Sequence, residues 1–154
     1  MTYNPVKYWN RRAKHSKPYV EWEPFFLNYI EKDYNVLDIG SGRGNYVISL
    51  IKRGINAVGC DISEEYIKVS EDNCNKNKIN SSNKFYLWKG TNLPFSKNSF
   101  DIVVTFYTLQ HVVNNTQIKI IFREVNRVLK NSGYFCIVES ASAIEFQTTK
   151  YLIN

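Results

Sequence analysis

The chain has 154 residues, of which 44% are apolar and 15% aromatic, and its formal net charge is +6. This length predicts a single domain, residues 1–154, and the apolar content is enough for a hydrophobic core, which excludes an intrinsically disordered protein. The excess of Lys and Arg favours an acidic partner or an anionic ligand, although no dense cationic block occurs and a general bias toward Lys explains the charge equally well. No apolar run approaches the ~20 residues of a membrane-spanning helix.

The three cysteines, Cys60, Cys74 and Cys136, are widely spaced. An odd number of cysteines, without a Cys-x-x-Cys pair or a signal peptide, predicts free thiols in a reducing cytosol, so a cytoplasmic protein is expected. The same spacing argues against a structural zinc site, and no metal ligands are predicted.

The N-terminal segment, residues 1–18, is polar, basic and aromatic and lacks clear periodicity. It is interpreted as an arm or a short helix before a core of residues 19–139. Within that core, the apolar residues from Tyr19 to Glu31 recur at three- and four-residue steps. This pattern predicts an amphipathic helix, which tolerates Pro24 in its first turns.

Short apolar runs then alternate with helical patterns along the chain. The predicted strands are Asn35–Ile39, Asn56–Cys60, Phe85–Trp88, Phe100–Phe106 and Tyr134–Val138. The predicted helices are Arg43–Arg53, one that begins after Ser63 and ends near Asn75, and one from Ile118 to Leu129 that Lys130–Gly133 closes. Helix-end signals support them: Gly54 as a C-terminal glycine, Ser63 as an N-cap, and Asn114 with Gln117 at the spacing of a capping box. The alternation predicts an α/β fold with a parallel sheet covered on both faces.

The loop after the first predicted strand reads Gly40-Ser41-Gly42-Arg43-Gly44. A dinucleotide-binding fingerprint would place its third glycine at position 45, which is Asn45, so the spacing fits a pyrophosphate poorly. Backbone N–H groups at a helix N-terminus still suit a carboxylate or another compact polar group. Ligands of such sheets bind beyond the carboxyl ends of the strands, near the switch in strand order.

Acidic residues stand at the ends of the first two predicted strands. A carboxylate at Asp61 can accept hydrogen bonds from both hydroxyls of a ribose, and Ile62 beside it offers an apolar surface for an adenine ring. Asp38 can accept backbone N–H groups of the loop or face a ligand ammonium. An adenosine whose ribose carries an amino-acid tail matches the whole set, and that compound is S-adenosylmethionine.

Five motifs occur in order between residues 36 and 138: V-L-D-I-G-S-G-R-G, G-C-D-I-S, L-P-F-S-K-N-S-F-D-I-V, L-Q-H-V and R-E-V-N-R-V-L-K-N-S-G. With these motifs the chain resembles class I S-adenosylmethionine-dependent methyltransferases, in the broad group that includes ubiquinone/menaquinone-type enzymes and methyltransferase domain 11. The resemblance implies a Rossmann-like doubly wound sheet of strand order 3-2-1-4-5. It also implies S-adenosyl-L-methionine as the cofactor, S-adenosyl-L-homocysteine as its product, and methyl transfer to an acceptor that the motifs do not identify.

The resemblance further implies roles for single residues around the cofactor. Those at the methionine part would be Asp38, Gly40, Ser41, Gly42 and Gly44. Asp61 would hold the ribose and Ile62 the adenine, while Thr91 and Asn92 stand where the family often has an Asp at the adenine amino group. Phe106 and Tyr107 would line the methyl-donor end, and Tyr8 and Arg12 would belong to a lid over the cofactor.

Two features of the sequence each allow more than one interpretation. His111 is the candidate general base, with Tyr107 as a second candidate catalytic residue, but the His111 ring equally suits packing and hydrogen bonding that fix its loop. The N-terminal arm mixes aromatic residues with cations, which suits a lid, plain surface packing or nucleic-acid binding.

The C-terminal tail is short for this fold. Family members continue past the fifth strand with a helix and an antiparallel pair of strands, whereas only residues 140–154 remain here, so the pair is expected to be lacking. The fifth strand would then lie at an exposed edge. A truncated chain, a homo- or hetero-oligomer across that edge, and a tail that folds back as one strand are the alternatives. The second functional hypothesis follows from them: a methyltransferase-like cofactor-binding subunit or truncated form that is inactive without a partner.

Overall fold

A computed structural model describes residues 4–15, 27, 29–112 and 114–140, and the backbone of 149–151. Its helices are α1 (Pro5–Lys14), α2 (Asn45–Lys52), α3 (Glu64–Lys76) and α4 (Asn115–Val128), with a short 3-10 helix at Leu109–His111. Its strands are β1 (Asn35–Ile39), β2 (Asn56–Asp61), β3 (Phe85–Leu87), β4 (Phe100–Phe106), β5 (Leu129–Val138) and β6 (Thr149–Tyr151). The helix predicted from Tyr19 to Glu31 lies mostly outside the described residues.

The strands form one sheet of order β3-β2-β1-β4-β5-β6, in which β1 to β5 are parallel. This confirms the predicted doubly wound α/β fold and its 3-2-1-4-5 order. The strand order switches beside β1, where Ile39 lies opposite Cys60 of β2 and Thr105 of β4. The carboxyl ends of these three strands therefore meet at one edge of the sheet.

The central strand is buried on both faces because its alternate residues face opposite sides. Val36 packs in a cluster that includes Val47 of α2, whereas Leu37 packs in the cluster that includes Val125 of α4. Both β1 residues are at most 1% exposed. Each such burial contributes about 1.5–3 kcal/mol, so the two cores fix the position of β1 between the helices.

Most predicted helix ends are confirmed. Gly54 follows α2 with a φ of 79°, the left-handed conformation that favours glycine. The Ser63 hydroxyl accepts the N–H of Tyr66 at the start of α3. The capping box at α4 is only half formed: Asn114 accepts the N–H of Thr116, but the Gln117 side chain donates to the carbonyl of Gly90.

The predicted end of the last helix is wrong. α4 stops at Val128, and Leu129 already belongs to β5, where it pairs with Phe100. The Val128 carbonyl accepts the N–H of Ser99, and Lys130 forms an ion pair with Asp101 at 2.8 Å. The helix thus ends before the predicted stop signal of Lys130–Gly133, because contacts with the neighbouring strand recruit Leu129 and Lys130 into β5, and the register shifts between Phe100 and Ile102.

Among the described residues, one strand, β6, lies beside β5 at the edge of the sheet. β6 pairs antiparallel with Phe135–Ile137 of β5, so one strand stands where the family has an antiparallel pair. Among the described residues, no helix is both long enough and apolar enough to cross a bilayer. The three cysteines are free thiols, as predicted.

Candidate functional site

The glycine loop leaves β1 at the edge where the strand order switches. Gly40, Gly42 and Gly44 have φ angles of 77°, 52° and 75°, which lie in the left-handed region. A Cβ at Gly40 would overlap the Thr108 side chain, and one at Gly44 would come within 2.6 Å of the Phe85 ring. Gly42 alone of the three borders open space. Packing therefore requires the two outer glycines, while the middle one leaves room for a ligand near the backbone.

Asp61 ties this loop to β2. Its Oδ2 accepts the N–H of Gly42 and its Oδ1 that of Ser63, both at 2.9 Å. Burial raises the pKa of Asp61, and the N–H groups of Ser63, Gly42 and Ile62 oppose that shift. Because each carboxylate oxygen has two acceptor positions, the bonds to the loop leave capacity for the ribose hydroxyls that the sequence predicts there.

Asp38 is the most unusual side chain of the site. It is 3% exposed, and its Oδ1 is buried without a hydrogen-bond partner among the described residues. Burial, with a smaller contribution from Asp61, raises its pKa to about 8. A buried polar atom left unsatisfied costs about 1–3 kcal/mol, so the Oδ1 of Asp38 marks a position where the described part of the chain supplies no partner.

Further buried polar atoms near the carboxyl ends of β1 and β4 also lack partners among the described residues. The Oγ of Ser41 and the Oδ1 of Asn45 are buried without a partner in the described part of the chain, as is the Oγ1 of Thr105. These residues lie in the loop after β1, in the first turn of α2 and near the end of β4. Thr105 pairs with Ile39 and therefore faces the other side of the sheet from Asp38, which pairs with Val104. The unpaired atoms of Asp38, Ser41 and Asn45, on β1 and the segment that follows it, fit a polar ligand such as an amino-acid group.

The segment after β4 carries the two candidate catalytic residues. Tyr107 has a φ of 52°, uncommon for a residue with a side chain, and its side chain is exposed. Phe106 packs its ring against Tyr46 at 4.9 Å. Phe106 and Tyr107 lie at the carboxyl edge of β4, beside the glycine loop, where the family resemblance implies the methyl-donor end.

His111 is held by packing and by one neighbour. Its ring meets Trp9 edge to face at 4.8 Å, and its Nε2 lies 3.3 Å from the Nε2 of Gln110. The Oε1 of Gln110 accepts from the N–H and hydroxyl of Ser140, which orients the Gln110 amide with its NH₂ toward the imidazole. This contact and the packing against Trp9 match the loop-fixing alternative for His111.

The predicted arm contains helix α1, which lies over the same crevice. Trp9 contacts Tyr66 of α3 as well as His111, and the side chain of Asn10 accepts the hydroxyl of Ser63 at 2.6 Å. Tyr8 packs against Trp9 at 4.9 Å. Arg12 is exposed but lies near Tyr66, whose pKa burial raises and the Arg12 charge lowers.

The turn after β3 holds Thr91 and Asn92, both exposed. Several residues fix its backbone: Gln117 donates to the Gly90 carbonyl, Trp88 donates to the Thr91 carbonyl at 3.0 Å, and Glu124 accepts the Leu93 N–H at 2.8 Å. The turn is therefore shaped by α4, and its Thr91 and Asn92 side chains face outward from this framework. Ile62, after β2, is half-buried.

Thr108, Gln110 and Glu139 border the candidate site, but no role for them was predicted from the sequence. Glu139 follows an apolar strand directly, as Asp61 ends one, so the rule that found Asp61 applies to it equally. Thr108 and Gln110 carry no comparable signal, because their importance comes from contacts with Gly40 and Ser140 that are distant in sequence.

Two open clefts lie elsewhere in the described structure. One of about 400 Å³ is lined by Lys97, Asn126 and Lys130, among others, and one of about 500 Å³ by Asn92, Phe95 and Glu124, among others. Of their charged side chains, Lys130 pairs with Asp101 and Glu124 with Arg127. The crevice at the glycine loop is the better candidate because its buried polar atoms have no such partners.

Known proteins resemble this chain in sequence and in fold. The chain is 39% identical over 100 residues to an uncharacterised protein of Methanocaldococcus jannaschii, an alignment that covers 65% of this chain and 34% of the relative. It is 30% identical over 112 residues to a ubiquinone/menaquinone biosynthesis C-methyltransferase of Rhizobium meliloti, covering 70% of this chain and 42% of that enzyme. The chain thus spans about a third to a half of these curated relatives.

Solved structures agree with the sequence relatives. A SAM-dependent methyltransferase from Methanosarcina mazei superposes with a TM-score of 0.69 at 30% identity, covering 77% of this chain and 58% of that one. The PH0226 protein of Pyrococcus horikoshii also gives 0.69, at 28% identity, covering 88% and 59%. The family model of the methyltransferase domain matches residues 37–137. With two thirds of its length inside that match, the chain belongs to the methyltransferase domain family, whose cofactor is S-adenosyl-L-methionine.

Proposed function

We propose that the protein transfers a methyl group from S-adenosylmethionine to a small molecule or an RNA. The observation that supports this most directly is the buried Asp38 carboxyl group, whose Oδ1 lacks a partner beside a glycine loop that Asp61 anchors. Asp38 suits the ammonium of an amino-acid tail once its carboxyl group releases its proton to solvent on binding, and the Asp61 carboxylate one strand away suits the sugar of the same ligand.

In this proposal, different residues of the crevice bind different parts of S-adenosylmethionine. Asp38 and Ser41 bind the methionine part, for which Gly40, Gly42 and Gly44 give the loop its shape. Asp61 accepts the ribose hydroxyls, and Ile62, Thr91 and Asn92 border the adenine. Phe106 and Tyr107 line the methyl-donor end, while Tyr8 and Arg12 act from α1 as part of a lid.

A bound S-adenosylmethionine supplies a methyl group already activated by its positive sulfur. The chain then has mainly to align the acceptor with that group and to exclude water, and orientation alone can supply up to ~7–11 kcal/mol of the barrier. His111 is a general base only for acceptors that must lose a proton early, and its contact with Trp9 has to open for it to act so.

The alternative is a cofactor-binding subunit that needs a partner for activity. One observation favours it: Thr91 stands where the family resemblance places an acidic residue at the adenine. Association across the sheet edge beyond β6, and a cytoplasmic location consistent with free thiols, are further parts of the proposal.

Calorimetric titration separates cofactor use from a shared fold. The full chain should bind S-adenosylmethionine and S-adenosylhomocysteine, and should not bind NAD. Asp61→Ala should abolish the binding, whereas Asp72→Ala, which removes an exposed carboxylate of α3, should leave it unchanged. Absence of binding to both compounds would refute the proposal.

A second assay separates an enzyme from a subunit. The chain is incubated with S-adenosylmethionine labelled in its methyl group and with small-molecule and RNA fractions of a cell extract. Transfer of label by the wild type, lost in Asp61→Ala, supports an independent enzyme. Cofactor binding without transfer to any fraction supports the subunit instead.

A further inference from the structure

Three backbone N–H groups after β4 converge on one side chain. The Oε1 of Glu139 accepts the N–H of Thr108 at 3.1 Å and that of Leu109 at 2.8 Å, and its Oε2 accepts the N–H of Gln110 at 3.2 Å. Glu139 comes directly after β5, the neighbour of β4 in the sheet. One carboxylate thus fastens the first turn of the 3-10 helix to the adjacent strand.

The chemistry of this contact requires a carboxylate. All three partners donate, so the side chain must offer acceptors on both of its terminal atoms. A glutamine of the same shape would turn an NH₂ toward at least one of these N–H groups. A negative charge also suits the positive end of a helical turn, which adds to the preference for Glu over Gln.

The fastened segment connects to both halves of the candidate site. On one side, the Thr108 side chain occupies the space beside Gly40, in contact with the glycine loop. On the other, the Gln110 amide lies against His111, and the His111 ring lies against Trp9 of α1. A change in the position of Glu139 would therefore reach the glycine loop through Thr108, the imidazole through Gln110, and α1 through the contact of His111 with Trp9.

We propose that Glu139 is the positioning residue of the methyl-donor end: its carboxylate holds Tyr107–His111 in the geometry that presents Tyr107 and His111 to the crevice. This inference rests on the proposed function for its catalytic consequence. Its structural content, that the Glu139 carboxylate sets the environment of His111, is independent of any ligand.

The test reads out His111 by proton NMR of the imidazole. The chain has two histidines, and His15 lies exposed after α1, so it serves as an internal reference. The variants are Glu139→Gln, which keeps the shape, and Glu139→Asp, which keeps the charge. The control is Asp101→Asn, which removes a carboxylate that also accepts a backbone N–H, from Asn35 at the opposite edge of the sheet.

Glu139→Gln is expected to shift the His111 signals beyond their line width and to leave those of His15 in place. Glu139→Asp should return the His111 signals toward the wild-type position. Asp101→Asn should leave them unmoved even if it loses as much thermal stability as Glu139→Gln does. Unmoved His111 signals in Glu139→Gln, or an equal shift in Asp101→Asn, would overturn the proposal. These outcomes do not require S-adenosylmethionine to bind, so failure of this inference and failure of the proposed function can be told apart.

A second measurement tests the catalytic consequence once an acceptor fraction is known. Glu139→Gln should lower kcat about tenfold to a hundredfold, because small misplacements of aligned groups have effects of that size, with KM for S-adenosylmethionine nearly unchanged. An unchanged kcat, or a loss confined to KM, would contradict a positioning role at the methyl-donor end.

Discussion

At the scale of single residues, the glycines of the loop after β1 differ in what they tolerate. Gly40 and Gly42 both have positive φ angles, but only a Cβ at Gly40 would overlap another side chain, that of Thr108. The left-handed conformation costs a residue with a Cβ about 1–2 kcal/mol, and overpacking adds about 1–3 kcal/mol.

We therefore predict that Gly40→Ala lowers the free energy of unfolding by about 2–5 kcal/mol and Gly42→Ala by only about 1–2 kcal/mol. Urea unfolding followed by circular dichroism measures both values. Equal losses in the two variants would show that Thr108 yields and that the contact does not fix the loop.

Asp38 should make stability depend on pH. Its pKa is raised from 3.8 to about 8, so between these values the folded chain holds a proton that the unfolded chain has released. Stability then falls as the pH rises through that window, by at most about 1.4 kcal/mol per pH unit. Asp38→Asn should remove this slope and should become more stable than the wild type toward pH 8.

The measurement is urea unfolding of both proteins between pH 5 and pH 9. Parallel stability curves for Asp38→Asn and the wild type would contradict a protonated Asp38 in the folded chain. The same variant should bind S-adenosylmethionine more weakly, since the proposed partner of its ammonium is lost.

The candidate site could be predicted from the sequence where the type of a residue, together with its place at a strand end, indicates its role. Asp38, Asp61 and the three glycines stand at strand ends, and the topology alone brings them together. His111 could be located but its role could not, because its neighbours Trp9 and Gln110 come from different parts of the chain. Glu139 also stands directly after a strand, so the same reasoning could have found it. Its partners could not be predicted, because they are backbone N–H groups, which every residue except proline carries.

At the scale of elements, α4 clamps the irregular segment between β3 and β4. Arg127 donates to the carbonyls of Leu93 and Phe95 and pairs with Glu124, which is 4% exposed and accepts the Leu93 N–H. Removing the cation would leave a buried carboxylate with a single partner. Arg127→Met should therefore lower the free energy of unfolding by about 2–4 kcal/mol.

The matched control is Arg123→Met on the exposed face of the same helix, with an expected effect below about 0.5 kcal/mol. Thermal or urea unfolding distinguishes the two. A loss in Arg127→Met no larger than that in Arg123→Met would mean that water replaces the cation at no cost.

Helix α1 should slow ligand exchange if it acts as a lid. Its Trp9 touches both His111 and Tyr66, and aromatic pairs contribute about 0.5–1.5 kcal/mol each. Trp9→Ala should therefore raise the dissociation rate of S-adenosylhomocysteine about tenfold, measured by stopped-flow displacement. Lys7→Ala, at an exposed position of α1, should leave the rate unchanged.

Element positions were predicted more accurately than the junction between the last helix and strand. Phe100–Phe106 and Asn35–Ile39 match to the residue, because buried parallel strands are continuous apolar runs bounded by polar segments. The end of α4 was misplaced because Lys130 and Gly133 form a good local stop signal. Lys130 instead pairs with Asp101, a partner 29 residues away that no local pattern reports.

At the scale of the whole molecule, the candidate site joins both halves of the sheet. Residues of β1, β2 and β4 and of helix α1 border one crevice, so a ligand there should stabilise the complete fold and not one loop. At 100 times its dissociation constant, such a ligand adds about 2.7 kcal/mol. S-adenosylhomocysteine should accordingly raise Tm by about 5–10 °C in a single transition.

Differential scanning calorimetry with S-adenosylhomocysteine, adenosine and methionine checks this coupling. The two fragments of the ligand should each give a smaller shift than the intact compound. A shift with adenosine equal to that of S-adenosylhomocysteine would place the binding energy outside the Asp38 end of the crevice.

The direct junction of α4 and β5 has a bearing on how relatives of this chain diverge. With Val128 helical and Leu129 already paired to Phe100, an inserted residue there would break that pair or enlarge the register shift that follows it. The segments that leave the opposite edge after β1, β2 and β4 lead into helices, so a change in their length need not alter the pairing of any strand. New acceptor specificities can then arise by remodelling those segments, while the scaffold that carries the cofactor stays as it is.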